Sequence, residues 1–253
     1  MRDQTAERAQ RGGKSMRGDL SIDITVVICP VPPDASAREA ATWIAARRSG
    51  DVPVTWAIPV EMLAALREEG LHAAAAPTPP IAVDLSATWP LSRQAIRQAV
   101  RAARRAWPEI ESASILGDVA LDHRDVLVQE GITTVLVERL DTQARGSRRP
   151  APRGWACRSQ LWGLWEVAIA PGPRSLVSRV AGWCRPRDRG RLQVWHAGQA
   201  PAALVRTRLE RHLARVRRHT LSGKVRAIGL PELPSIITGG DPSAERGSVL
   251  RAA

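Results

Sequence analysis

An imidazole and a carboxylate, each following a short apolar run, are the residues of this chain best placed to do chemistry. His196 comes directly after Leu192-Gln193-Val194-Trp195, and Asp84 directly after Ile81-Ala82-Val83. A His and an Asp brought to one rim can pass a proton or hold a divalent metal with a position left open for water. Glu166 lies within a third run, Leu161 to Ala170, where alternation turns it either into a barrel or outward towards an Arg. Trp89, Trp162, Trp165 and Trp195 offer flat rings that can stack on a sugar face. Asp118 or Asp122 with His123 is a further place where carboxylate and imidazole could share a rim. Each candidate also has a plainer reading. A strand-end His can simply be hydrogen-bonded, Asp84 can brace a loop, and Asp122 can cap a helix. Trp is the sole aromatic type here and so has core to fill.

These residues need strands to carry them and helices to pack behind the strands. Ser21 to Ile28, Asp51 to Ile58, Ile81 to Leu85, Ala113 to Leu116, Ile132 to Val137, Leu161 to Ala170, Leu192 to Trp195 and Val225 to Ile228 read as strands. Helices are expected between them. Asp34-Ala35-Ser36 caps one with Ala37, Ala40, Ala41 and Ile44 on a face; Pro59 opens another with Met62, Leu63 and Leu66. Ser92 caps a third with Ile96, Ala99, Val100, Ala103 and Trp107 inward, Asp122 caps a short turn through Val126 and Leu127, and Pro173 begins a fifth. The longest runs to about His219, with Ala202, Val205, Leu209, Leu213 and Val216 on one face and arginines on the rest. Strand–helix alternation of this kind predicts a parallel α/β sheet closed into a single barrel of about seven or eight strands. An open doubly wound sheet is the alternative, although no GxGxxG follows any strand. In either fold ligands bind at the C-terminal ends of the strands, where His196 stands. The barrel is expected over residues 21–238, with a disordered basic tail at 1–20 and a polar tail at 239–253.

Composition excludes several classes. No apolar run reaches the roughly 18 residues of a membrane span, and the charged first residues carry no apolar leader, which predicts a cytoplasmic protein. Cys29, Cys157 and Cys184 are odd in number and unpaired by spacing, so they read as reduced core thiols. The 253-residue chain has a formal charge of +12, almost all of it from Arg, and it lacks Phe, Tyr and Asn. An anionic partner is one explanation; arginines dispersed over helix faces by GC-rich coding is the other. No zinc-finger spacing, RRM signature or GxxG clamp points to nucleic acid.

Two segments resemble polysaccharide deacetylases. Val52-Pro53-Val54-Thr55-Trp56 is similar to the family's Val-Pro-x-Thr-Phe strand, with Trp for Phe. The run from Trp195-His196 through the long helix, Gly223-Lys224-Val225-Arg226-Ala227-Ile228 and Leu230-Pro231-Glu232-Leu233 resembles the family's closing strand–His–helix–strand–turn step. Asp125 to Ile132, a helix ending in Gly-Ile before a strand, is similar to another family step. The resemblance implies a (β/α) barrel of the glycoside hydrolase/deacetylase type that removes acetyl groups from amino sugars with a bound divalent metal such as zinc. By resemblance His196 is the assisting histidine. The family's Thr-Phe-Asp-Asp-Gly segment falls on Val26-Val27-Ile28-Cys29-Pro30, which has no carboxylate. Its His-x-x-x-His segment falls on Asp84 to Thr88 or Trp89, leaving Asp84 as a candidate metal ligand, and Leu116-Gly117-Asp118 replaces its Arg-Pro-x-Gly. His196 alone represents the catalytic motifs.

Three functions follow. The chain is a carbohydrate deacetylase with a rearranged site around His196, or a non-catalytic descendant binding a glycan or partner through Trp89, Trp195 and Glu166, or an Arg-rich binder of an anionic polymer. His212 and His219, on the Arg-rich helix, are expected to be exposed.

Overall fold

The computed structural model describes residues 22–47, 50–71, 78–87, 92–116, 123–138, 157–159, 163–169 and 191–238. Its strands form a near-closed, mainly parallel barrel surrounded by helices. The strands are β1 (Asp23–Pro30), β2 (Val54–Pro59), β3 (Ile81–Asp84), β4 (Ser112–Ile115), β5 (Thr134–Val137), β6 (Cys157–Ser159), β7 (Trp165–Ala168), β8 (Leu192–His196) and β9 (Val225–Ile228). Their hydrogen-bonded order is β6-β7-β5-β4-β3-β2-β1-β8, with β9 also on β1. Among the described residues no ladder joins β8 to β7, so the ring stops just short of closure.

Two features depart from the expected pattern. β6 pairs antiparallel with β7, inside a stretch whose sequence shows no strand alternation. β8 and β9 are not neighbours. β1 meets β8 over Ile24 to Ile28, β9 over Asp23 to Val26 and β2 over Val27 to Pro30. Because the β8 register overlaps both of the others, β9 and β2 must share the opposite edge of β1, one along its first half and one along its second.

Strand alternation divides the core in two. Ile24, Val26, Ile28, Ala57, Ala82, Leu136, Trp165, Val167, Leu192 and Val194 pack inside the barrel. Val27, Cys29, Trp56, Ile58, Val83, Ala113, Ile115, Val135 and Val137 face the helices. Parallel strands buried on both faces read as unbroken apolar runs, which is why β1 was legible as one.

The helices are α1 (Ala37–Ala45), α2 (Val60–Glu68), α3 (Arg93–Ala106), α4 (Arg124–Gln129), α5 (Ala202–Leu221) and α6 (Leu233–Thr238). Ser36 caps α1 through a capping box: its hydroxyl accepts from the Glu39 N–H at 3.3 Å, and Glu39 accepts from the Ser36 N–H at 3.0 Å. Such a cap is worth about 1 kcal/mol. Ser92 caps α3 as expected, but α4 starts from His123, and the expected cap Asp122 lies outside the described residues. The helix predicted after Pro173 also lies outside them, as do the two tails, Trp89 and Asp118. Arginines on the outer face of α3 reach α4: Arg97 and Arg101 both donate to Glu130, at 3.0 and 2.9 Å. Arg104 donates to the Glu130 carbonyl, over Gly131. Gly131 has φ +80°, so the turn favours glycine there; a Cβ would also displace the end of the Arg104 side chain.

The last described elements pack against the barrel interior. After β9 a single 3-10 turn (Leu230–Glu232) leads into α6, and Leu230 and Leu233 join the interior cluster. The Leu230 N–H donates to the interior hydroxyl of Thr55 at 2.9 Å. Leu230 and Leu233 thus add apolar side chains to the barrel interior next to β2.

Truncating β1 tests its place at the centre of the sheet. Ile28→Ala is expected to cost about 2–4 kcal/mol in urea unfolding, against less than about 0.5 kcal/mol for the exposed Leu221→Ala.

Candidate functional site

The interior face of the C-terminal strand ends brings Asp84 and His196 together. Asp84 follows Ala82 on the inward face of β3, and His196 follows Leu192 and Val194 on the inward face of β8. In register, His196 lies beside Ile28, while Asp84 lies between Pro59 and Ser114. Burial depresses the His196 pKa, and the Asp84 charge opposes that shift, so carboxylate and imidazole feel one another electrostatically.

A backbone amide sets the state of the ring. The Gly198 N–H donates to His196 Nδ1 at 3.0 Å, made possible by a turn in which Gly198 has φ +80°. With Nδ1 accepting and the ring neutral, Nε2 must carry the proton. That Nε2 is buried and finds no partner. His196 Nε2 is thus an unpartnered hydrogen-bond donor, with no lone pair there for a metal or for a substrate proton. Asp84 is held by Ser86, whose N–H and hydroxyl donate to Oδ1 at 3.0 and 2.6 Å. Ser86 Oγ in turn accepts from the Leu116 N–H at 2.9 Å, tying the ends of β3 and β4 together.

More unmet polarity lies below. Ser112, Ser114 and Thr134 turn their side chains inward on β4 and β5, and Trp165 does so on β7. Their Oγ, Oγ, Oγ1 and Nε1 atoms are buried without partners. Orphaned groups of this kind are costly unless water or ligand satisfies them. Serine and threonine on short strands give no periodic signal, and sequence reading passed over all three.

The other predicted residues lie elsewhere. Glu166 is fully buried but faces outward, opposite Trp165 and Val167, and pairs with Arg124 at the start of α4. Trp195 also faces outward and stacks on His212 of α5, with ring centroids 4.1 Å apart and planes 4° from parallel. His212 is therefore half-buried rather than exposed, and burial, then the neighbouring Arg215 charge, pushes its pKa down to about 4. Trp162 lies outside the described residues. Cys29 and Cys157 are buried free thiols; burial raises both pKa values, that of Cys157 to about 12, which leaves them inert at neutral pH.

A divalent metal does not fit these donors. Among the described residues no three His, Cys, Asp or Glu side chains converge on one point. The Gly198 bond also protonates the nitrogen that His196 would have to offer.

No protein-family model matches the chain, and no curated protein does. A crystal structure from Mycobacterium smegmatis, assigned by its name to the polysaccharide deacetylases, is similar at 10% identity and a TM-score of 0.41, covering 87% of this chain and 92% of that one.

Two outcomes are expected. His212 is neutral when folded but titrates near 6.5 when unfolded, so the unfolded chain takes up the proton first as the pH falls. Stability should therefore drop from about pH 6.5 down to about pH 4, and His196 adds to the loss in the same direction. Urea midpoints at about pH 7.5 and about pH 4.5 check this, with a smaller drop expected for His212→Gln. Glu166→Ala, which strands Arg124 beside a cavity, should cost about 3 kcal/mol in the same measurement, whereas Glu166→Met with Arg124→Met should cost far less.

Proposed function

We propose that this protein is a carbohydrate-directed barrel that retains the ligand end of the polysaccharide deacetylase architecture without its metal chemistry. The observation that carries the reading is a neutral imidazole with its Nε2–H unpartnered, on the same interior rim as a carboxylate. One fixed donor and one fixed acceptor suit a neutral polyhydroxylated ligand bearing an amide. The acetamido carbonyl would accept from His196 Nε2, and a sugar hydroxyl would donate to Asp84. Binding by such a pair needs no ionised imidazole, so it would persist through neutral pH. Hydrolysis would require an activated water, and neither residue is arranged to generate one: the His196 lone pair is used by Gly198, and Asp84 Oδ1 is used by Ser86. The binding unit would be one domain, residues 21–238, and Trp89 would stack on the sugar. Glu166 and Trp195 would serve the scaffold, holding α4 and α5 to the sheet.

Among the described residues no helix is long and apolar enough to cross a membrane.

Titration of a fully N-acetylated chitotetraose by calorimetry, with acetate assayed in the same samples, tests the reading. Saturable binding without acetate release is expected. His196→Ala should weaken binding roughly fivefold to tenfold, the worth of one hydrogen bond, while Asp84→Asn should have a similar effect. Acetate release that depends on a stoichiometrically bound zinc ion would sink the proposal, as would the absence of any binding.

A further inference from the structure

The flank of the barrel carries a cavity that borders His196. It measures about 320 Å³ and opens between the end of β8 and α5. Trp195 and His196 line it from the strand, and Arg208, Arg211, His212 and Arg215 line it from the helix. That volume is at the small end of the range for ligand sites, about 300–1,000 Å³.

The arginines in it differ from their neighbours. Of the six on α5, Arg206 lies over the Trp43 ring, 5.4 Å from its centre, and Arg217 pairs with Asp51 at 2.8 Å. Arg218 donates to the Ala214 carbonyl at 3.3 Å, and Arg208 leans over Gly198 to the Ala197 carbonyl at 3.5 Å. Arg211 and Arg215 have no such partner among the described residues, and both line the cavity. They stand four residues apart on one helix face, where like charges repel unless an anion lies between them. The acidic residue that could have served them, Glu210, is taken by Arg47. His212 sits between them with its Nε2 buried and unpartnered, and its ring is held flat against Trp195. Three guanidinium groups, one unused imidazole nitrogen and a rigid aromatic wall thus meet in one small cavity.

We propose that this cavity binds the phosphate group of a small phosphomonoester. Guanidinium forks match phosphate oxygens in pairs, and the spread from Arg208 to Arg215 is about 10 Å along the helix at 1.5 Å per residue, enough to clamp one group from both sides. The imidazole of His212 adds one bond, and the Trp195 edge borders the ester's organic part. The site adjoins the rim at Asp84 and His196, since His196 lines the cavity beside Trp195.

The test uses the full-length protein at low ionic strength with three probes: inorganic phosphate, phenyl phosphate and a twelve-nucleotide oligothymidylate. Calorimetry should give saturable one-to-one binding of phenyl phosphate, with inorganic phosphate competing. The double variant Arg211→Gln/Arg215→Gln should bind at least tenfold more weakly. Its thermal midpoint without ligand should equal or exceed that of the parent, since the two side chains hold nothing in place. Equal affinity of parent and double variant overturns the proposal, and so does the absence of saturable binding. Oligothymidylate that displaces phenyl phosphate, with affinity falling steeply as salt rises, also overturns it by identifying the groove as a site for a nucleic-acid backbone.

Discussion

β1 is the strand on which every other part of the barrel depends. Both of its faces are buried and both of its edges are hydrogen-bonded, to β8 on one side and to β2 and β9 on the other. No other described strand carries three partners. A residue in its centre is therefore constrained from four directions, which is why Val26, Val27, Ile28 and Cys29 have no solvent exposure. One edge is shared: β9 takes the first half and leads on to Leu230 and Leu233 in the interior cluster, and β2 takes the second half.

At the rim a single amide decides what the imidazole can do. His196 could serve as ligand, base or donor depending on which nitrogen carries the proton, and the Gly198 N–H removes the first two at Nε2. The turn that points this amide back requires a positive φ, so the glycine at 198 and the chemistry at 196 are linked through the backbone. The interior below has small residues, Ala57, Ala82, Ser112, Ser114 and Thr134, on successive strands. Larger residues stand beside them, Leu136 next to Ser114 and Trp165 next to Thr134, and the Trp165 N–H is unsatisfied too. A barrel core built for packing alone would hold branched apolar residues at the three hydroxyl positions.

The frame was legible because its signals are periodic. Apolar runs located eight of the strands, and three- and four-residue spacing located α1, α3 and α5 together with their buried faces. Ser36 and Ser92 announced helix starts through cap chemistry. What was not legible depends on contacts between distant segments. β6 is three residues long and exists only because β7 offers an edge. The division of the β1 edge between β9 and β2 cannot be read from strands that look alike. His196 could be placed at a strand end from sequence, but its protonated nitrogen is set by a loop amide. Glu166 sat in a strand whose alternation allowed either face, and the buried charge of Arg124 is what makes the outward face tenable.

The separation of Trp195 from His196 carries the most consequence for function. The two are adjacent in sequence, and both are residue types associated with ligand sites, so one reading assigns them to a single pocket. Both do border the cavity beside α5, although their side chains leave opposite faces of β8. With a side-chain period of two, His196 turns inward beside Asp84 while Trp195 turns outward against His212. The pair therefore divides its chemistry between the two sides of one sheet: a neutral donor within the barrel, and an aromatic wall facing the arginines of α5. The same logic applies to the charge of +12. Most arginines on α3 and α5 are answered locally, by Glu130, Asp125, Asp51, backbone carbonyls or a Trp ring. Net charge alone would spread the protein's affinity for anions over its whole surface. Subtracting the answered arginines of α5 leaves Arg211 and Arg215, in the cavity that Trp195 and His196 line from β8.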